Sequence, residues 1–290
     1  MLLTPTFARL VAIALALVSA SCSGFFYFPS RSRLEPDSAW FPRATLDRRV
    51  LGTPDGERLD VWLIQPVERP LRGTFVQFHG NAGHVGAHVR SLYWVIDHGF
   101  ALLAFDYRGY GASSGRPSQR GLYVDALTVL KHVRDLPLGT SAQDVVLYGQ
   151  SLGGAVLLRA FADGPRERVR ALVVEGSFHS YEEIAASVAW RTPLLFPFGG
   201  FAYAAVSDEY SPSAFISRVA PTPLLVVHAA SDPVIPVAFG RAIHALARQP
   251  KAFLELASDR HIGGPSREAQ RAMLDWLDTR APGHQLASGR

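Results

Sequence analysis

The sequence predicts an α/β fold, a mostly parallel sheet with helices on both faces. Three observations carry this. Short apolar runs of strand length recur at residues 73–78, 101–105, 144–148, 169–174, 223–227 and 253–257. Between most of them lie longer stretches with apolar residues at helical spacing. The runs are close to continuously apolar rather than alternating, as strands buried on both faces require.

In order along the chain, residues 49–53 and 58–65 read as a hairpin, with Pro54-Asp55-Gly56 supplying the turn. Residues 73–78 form a strand that ends at His79-Gly80, and a helix is expected over 86–97. The strand at 101–105 runs into Asp106-Tyr107-Arg108-Gly109-Tyr110-Gly111, whose glycines mark a loop. Leu122, Ala126, Val129, Leu130 and Val133 define the apolar stripe of a helix over 121–134. Helices are also expected over 155–162, over 237–247 and from about Ser266 onward. There is no internal repeat and no low-complexity tract. With 290 residues, 48% of them hydrophobic, the chain can bury a large core, and one domain is expected over 46–280. A linker at 23–45 and a tail at 281–290 flank it.

Arg9 precedes an apolar run from Leu10 to Ala20, then Ser21 and the sole cysteine, Cys22. The run suits a signal-peptide core better than a bilayer span. The small residues Val18-Ser19-Ala20-Ser21 before Cys22 resemble a bacterial lipoprotein signal, in which the thiol carries lipid. The expected location is therefore the cell envelope, membrane-anchored through residues 1–22. An uncleaved anchor extended through Phe25-Phe26-Tyr27-Phe28, or ordinary cleavage, is the alternative. One cysteine excludes an intrachain disulfide.

The formal net charge of +4 comes from scattered arginines rather than a basic face, which argues against nucleic-acid binding. There is no Cys-x-x-Cys pair, no His-Glu-x-x-His helix and neither glycine-rich nucleotide fingerprint. Nothing in the sequence calls for a metal or cofactor.

The most informative stretch is Gly149-Gln150-Ser151-Leu152-Gly153, which follows an apolar strand and opens a helix. In that setting Gly-x-Ser-x-Gly reads as a nucleophile elbow. The serine sits on a sharp strand-to-helix turn, and the glycines admit close backbone approach. In an open parallel sheet the reacting groups lie beyond the carboxyl ends of strands. The base should be a histidine, since imidazole can both take and return a proton near neutral pH. If the chain order is Ser, acid, His, as in the α/β-hydrolase arrangement, His244, His261 and His284 remain. His244 lies inside a helix and His284 in the polar tail, which leaves His261. Asp232, after the strand at 223–227 and before Pro233-Val234-Ile235-Pro236, is the candidate acid, with Asp259 and Glu175 as runners-up. The Leu152 N–H supplies one oxyanion donor, and the Asn81 N–H in His79-Gly80-Asn81-Ala82-Gly83 is expected to supply the other. His79 is read as bracing that loop by hydrogen bonding.

These motifs, together with Gly115-Arg116-Pro117-Ser118, Gly154 and Ser231-Asp232, resemble the α/β-hydrolase superfamily, in its Bem46-like branch related to the ABHD13 and ABHD17 serine hydrolases. The resemblance covers about residues 25–277. It implies an eight-stranded, mostly parallel sheet with a small cap between strands 6 and 7, and serine-hydrolase chemistry, some relatives acting as depalmitoylating thioesterases. The chain departs from the family pattern at His228-Ala229-Ala230, where His-Gly is usual. It departs again at Glu175-Gly176-Ser177-Phe178, in place of Glu-Ser-Pro-Phe, and at Arg260-His261-Ile262, in place of Gly-His-Asn.

The insertion at 177–219 carries Trp190, Phe196, Phe198, Phe201 and Tyr203. Either these rings roof the serine and suit an acyl chain, or they pack the cap onto the body. The expected activity is hydrolysis of an ester or thioester of a small acyl substrate by Ser151, His261 and Asp232. A peptidase on the same fold and a non-catalytic envelope scaffold are the alternatives. Oligomeric state is left open.

Overall fold

The computed structural model describes residues 26–32, 40–68, 71–135, 145–193, 199–262 and 265–280. Cys22, Phe196, Phe198 and His284 lie outside them. Eight strands build the main sheet: β1 (Ala44–Gly52), β2 (Arg58–Pro66), β3 (Gly73–Phe78), β4 (Phe100–Phe105), β5 (Val145–Gln150), β6 (Val169–Glu175), β7 (Leu224–Ala229) and β8 (Lys251–Leu256). Their spatial order is β8-β7-β6-β5-β3-β4-β2-β1. β1 and β2 form the expected hairpin, β2 also runs antiparallel to β4, and every other neighbouring pair is parallel.

The central strands are buried on both faces because successive side chains enter two different cores. Val76, Leu147, Leu172 and Val226 pack beneath α2 (Gln119–Asp135), α3 (Leu152–Phe161) and α6 (Val237–Leu246). Phe75, Val146, Val173 and Val227 pack on the other side against α1 (Val85–Leu92) and α7 (Arg267–Arg280). The helix expected over 86–97 is two pieces, α1 and a short turn at Trp94–Asp97. The break falls where the rings of Tyr93 and Trp94 turn onto Phe41 and Phe75.

Between β6 and β7 the chain leaves the sheet for the cap, which holds α4 (Tyr181–Arg191), α5 (Gly199–Ala205) and two short 3-10 turns. Ser180 caps α4 by accepting the Glu183 N–H, and Glu182 and Glu183 sit at its positive end. Residues 26–30, expected in a linker, are instead docked on the domain. Phe28 and Pro29 pair with Ala82 and Gly83, and the Tyr27 ring is buried. The Asn81 amide holds this segment, donating to the Phe26 carbonyl at 2.5 Å and accepting the Phe28 N–H at 3.3 Å. β1 likewise begins at Ala44, before the expected hairpin start.

Candidate active site

β5 ends at Gln150, and α3 starts at Leu152. Ser151 between them has φ 53° and ψ −120°, a conformation that costs a non-glycine residue on the order of 1–3 kcal/mol. The turn is tight enough that a Cβ on Gly149 would stand 2.6 Å from the Gly154 Cα, and one on Gly153 would overlap the Phe78 carbonyl oxygen. Two bonds brace it. The Ser151 carbonyl accepts the Gly154 N–H at 3.0 Å and the Ser177 hydroxyl at 2.8 Å.

The loop after β8 carries His261 back over this turn. Its Nε2 lies 2.9 Å from Ser151 Oγ, and its Nδ1 lies 2.7 Å from Asp232 Oδ2. With the ring proton on Nδ1, directed at the carboxylate, Nε2 is left to accept the serine proton. Asp232 is buried in the turn after β7, where its Oδ1 accepts the N–H groups of Val234 and Ile235, both at 2.8 Å. Burial pushes the Asp232 carboxyl up. The His261 hydrogen bond and charge, with the two N–H groups, outweigh that and hold it below the ordinary carboxylate range.

The runner-up acids lie elsewhere. Asp259 is exposed. Glu175 is buried, and its carboxylate accepts the Tyr148 hydroxyl at 2.9 Å and the Gln150 amide at 2.8 Å; burial raises its pKa. Gln150 in turn accepts the Gln77 amide at 2.7 Å, so a polar network runs beneath the elbow. Sequence reasoning singled out Glu175 as a runner-up acid and Gln150 as part of the elbow, but not Gln77 or the bonds that join the three.

His79 is buried with its pKa held well below the ordinary histidine value, chiefly by burial and next by the charge of His88. Its Nδ1 lies 2.7 Å from the Gly80 carbonyl oxygen, so the neutral ring donates there. In a trans peptide the N–H points opposite to the C=O, so this bond turns the Asn81 N–H away from His79. Gly80 packs beside Ser151: a Cβ on it would be 3.6 Å from the Ser151 Cβ and 3.3 Å from Ile262. The Leu152 N–H opens α3, where no intrahelical acceptor exists.

The family described as serine aminopeptidase, S33, matches residues 69–211. YfhR of Escherichia coli K12, itself uncharacterized, is 34% identical over 258 residues, which cover 87% of this chain and 84% of that protein. The Bem46 protein of Schizosaccharomyces pombe is 31% identical over 214 residues, covering 72% of this chain and 68% of it. The chain belongs to the α/β-hydrolase superfamily. Among solved structures, the esterase Pf2001 of Pyrococcus furiosus shares the fold with a TM-score of 0.69 at 16% identity, covering 89% of this chain and 98% of that one.

The three departures from the α/β-hydrolase pattern surround His261 and the elbow. Gly176 adopts φ +56°, and a Cβ there would stand 2.8 Å from the His261 carbonyl oxygen and 3.3 Å from its ring. Ser177, where the family usually has proline, supplies the hydroxyl on the Ser151 carbonyl. His228, followed by Ala229, is buried under Asp232 and bonded through Nε2 to the Ile235 carbonyl at 2.9 Å. In the cap, Trp190, Phe201 and Tyr203 are each close to half exposed, so none is buried between cap and body.

Proposed function

We propose that this α/β hydrolase cleaves carboxylic esters or thioesters of an acyl substrate through an acyl-enzyme, with Ser151, His261 and Asp232 in the reacting roles. The observation that carries this is the continuous hydrogen-bonded line from Ser151 Oγ through the His261 ring to Asp232, with spacings of 2.9 and 2.7 Å. Ser151 Oγ attacks the acyl carbonyl while His261 Nε2 takes its proton, and Asp232 stabilises the imidazolium so formed. The N–H groups of Leu152 and Asn81 receive the oxygen that becomes negative. Collapse breaks the bond to the leaving alcohol or thiol, which takes the proton from His261. Water, deprotonated by the same nitrogen, then attacks the acyl-enzyme and releases the acid.

The aminopeptidase description of the matching family keeps a peptidase as the second reading. A substrate amine would call for carboxylates near the mouth, and a cleft of about 570 Å³ between Tyr27 and the cap does contain Glu182, Asp208 and Glu209. Asp208 is engaged within the cap, accepting the Ser180 hydroxyl at 2.9 Å and the Glu182 N–H at 3.1 Å. That favours ester over amide chemistry. Hydrolysis of p-nitrophenyl esters of increasing chain length, set beside aminoacyl amides, separates the two. Turnover of esters that is lost in Ser151→Ala supports the first reading, and turnover of the amides alone supports the second.

The anchoring reading of residues 1–22, with Cys22 lipidated, belongs to the same proposal and rests on sequence. Among the described residues no helix is long and apolar enough to cross a membrane. Mass spectrometry of the mature amino terminus reads it: a diacylated Cys22 supports it, and an unmodified cysteine overturns the lipid.

A further inference from the structure

Large apolar side chains are exposed on the segments that surround the site. Phe28 is 64% exposed and Trp190 53%, and Val188, Phe201, Tyr203 and Val234 are also exposed. Contacts join their segments into one rim. The Trp190 indole lies over Gly199 at the start of α5. The Arg191 guanidinium at the end of α4 donates to the carbonyls of Pro233 at 2.9 Å and Val234 at 3.3 Å, in the loop that holds Asp232. The cleft at the end of α5 is closed on its other side by Phe26 and Tyr27. From Thr192 to Val206 the sequence has no charged residue at all.

The amino-terminal chain says what covers this rim. Its apolar run ends at Ala20, six residues before Phe26. At about 3.3–3.6 Å per residue, that separation reaches at most roughly 20 Å. Phe26 and Phe28 are fixed by the Asn81 amide, and Asn81 directly follows Gly80, which packs beside Ser151. Any bilayer that takes up the run from Leu10 to Ala20, or a lipid on Cys22, therefore lies within that reach of the nucleophile's side of the molecule. The opposite end of the sheet, where Val67 and Leu246 are exposed, has no such tether.

We infer that the face bearing Phe28, α4, α5 and Val234 rests on a lipid bilayer, so that acyl chains pass from the membrane to Ser151 without crossing water. The inference rests on the hydrolase reading and on the amino-terminal segment staying attached. Apolar rings at a membrane interface bind in proportion to the area they bury, and a carboxylate in their place opposes binding.

The test uses the full chain with phosphatidylcholine–phosphatidylglycerol vesicles. Trp190 emission, taken as wild type minus Trp190→Phe, should be quenched when the lipid acyl chains are brominated. An unquenched Trp190 on vesicles that have bound the protein overturns the inference. In kinetics, the double variant Trp190→Glu, Phe201→Glu should keep its turnover of p-nitrophenyl acetate and lose at least about 10-fold on long-chain acyl esters embedded in vesicles. Leu246→Glu should lose neither. Unchanged vesicle turnover in the double variant also overturns the inference. If the wild type hydrolyses no ester, the hydrolase reading fails, and the quenching result still decides which face meets the lipid.

Discussion

Asp232→Asn is the substitution whose cost follows most directly from the geometry. Oδ1 of Asp232 accepts two main-chain N–H groups at 2.8 Å, and Oδ2 faces His261 Nδ1 at 2.7 Å. An asparagine has one oxygen and one NH2 to place. If the oxygen stays with the N–H groups, the NH2 faces Nδ1, which must then accept; the ring proton moves to Nε2, and His261 can no longer take the proton of Ser151. The reversed amide restores the tautomer but sets an NH2 against two N–H donors, at roughly 1–3 kcal/mol for each buried donor left unpaired. That difference, about 2–6 kcal/mol, favours the unproductive orientation by roughly 30-fold to 10⁴-fold. We expect kcat for p-nitrophenyl esters to fall by about 10³–10⁴-fold at mildly alkaline pH, with the far-UV spectrum and the unfolding midpoint close to wild type. A folded Asp232→Asn protein that keeps a tenth of the wild-type kcat refutes the reasoning, because His261 would then not depend on Asp232 for its tautomer.

Three further outcomes are expected. Gly153→Ala places a Cβ into the Phe78 carbonyl and 2.5 Å from the His79 carbonyl oxygen, both backbone atoms that yield only if helix and sheet separate. It should cost about 1–3 kcal/mol in urea unfolding and lower turnover at least tenfold, and an unchanged denaturation curve counts against so tight an elbow. Ser177→Ala removes the hydroxyl from the Ser151 carbonyl, which keeps the Gly154 N–H, so a loss of about 0.5–1.5 kcal/mol is expected in the same assay, and no loss means that the hydroxyl braces nothing. Burial pushes the Asp106 carboxyl from its ordinary 3.8 up to about 7, against the Val85 N–H bond and with the Asp60 charge adding to it. The folded state therefore holds a proton that the unfolded chain releases, and this group's contribution to stability, complete below its unfolded pKa, is lost as pH rises toward 7. Asp106→Asn should flatten that decline between about pH 4 and 7, and a profile parallel to wild type contradicts the assignment.

How much was legible in the sequence varies with the physics of each element. β3 is legible to the residue because a short, mostly apolar run is bounded by Arg72 and by His79-Gly80. Ser151 is legible because its turn admits only glycine at Gly149 and Gly153, and Asp232 and His261 because each follows a strand at the sheet's carboxyl edge. The docked segment at 26–30 is not, since its partners, the Asn81 amide and the main chain at Ala82, Gly83 and Gly111, lie more than fifty residues away, and no local pattern announces such contacts. The network of Gln77, Gln150 and Glu175 is hidden for the same reason: each residue belongs to a different strand, and only pairing in the sheet brings them together. Gly176 and Ser177 left a trace, as a departure from the family pattern, but the contacts to His261 and to the Ser151 carbonyl needed coordinates.

The central claim is that one hydroxyl, on Ser151, is made nucleophilic by the imidazole beside it. Reaction of the purified full chain with a fluorophosphonate, followed by peptide mass spectrometry, tests this most directly. A single adduct on the peptide carrying Ser151, strongly reduced in His261→Ala and absent in Ser151→Ala, is the predicted result. A folded protein that takes up no label, or takes it up on another residue, contradicts the claim.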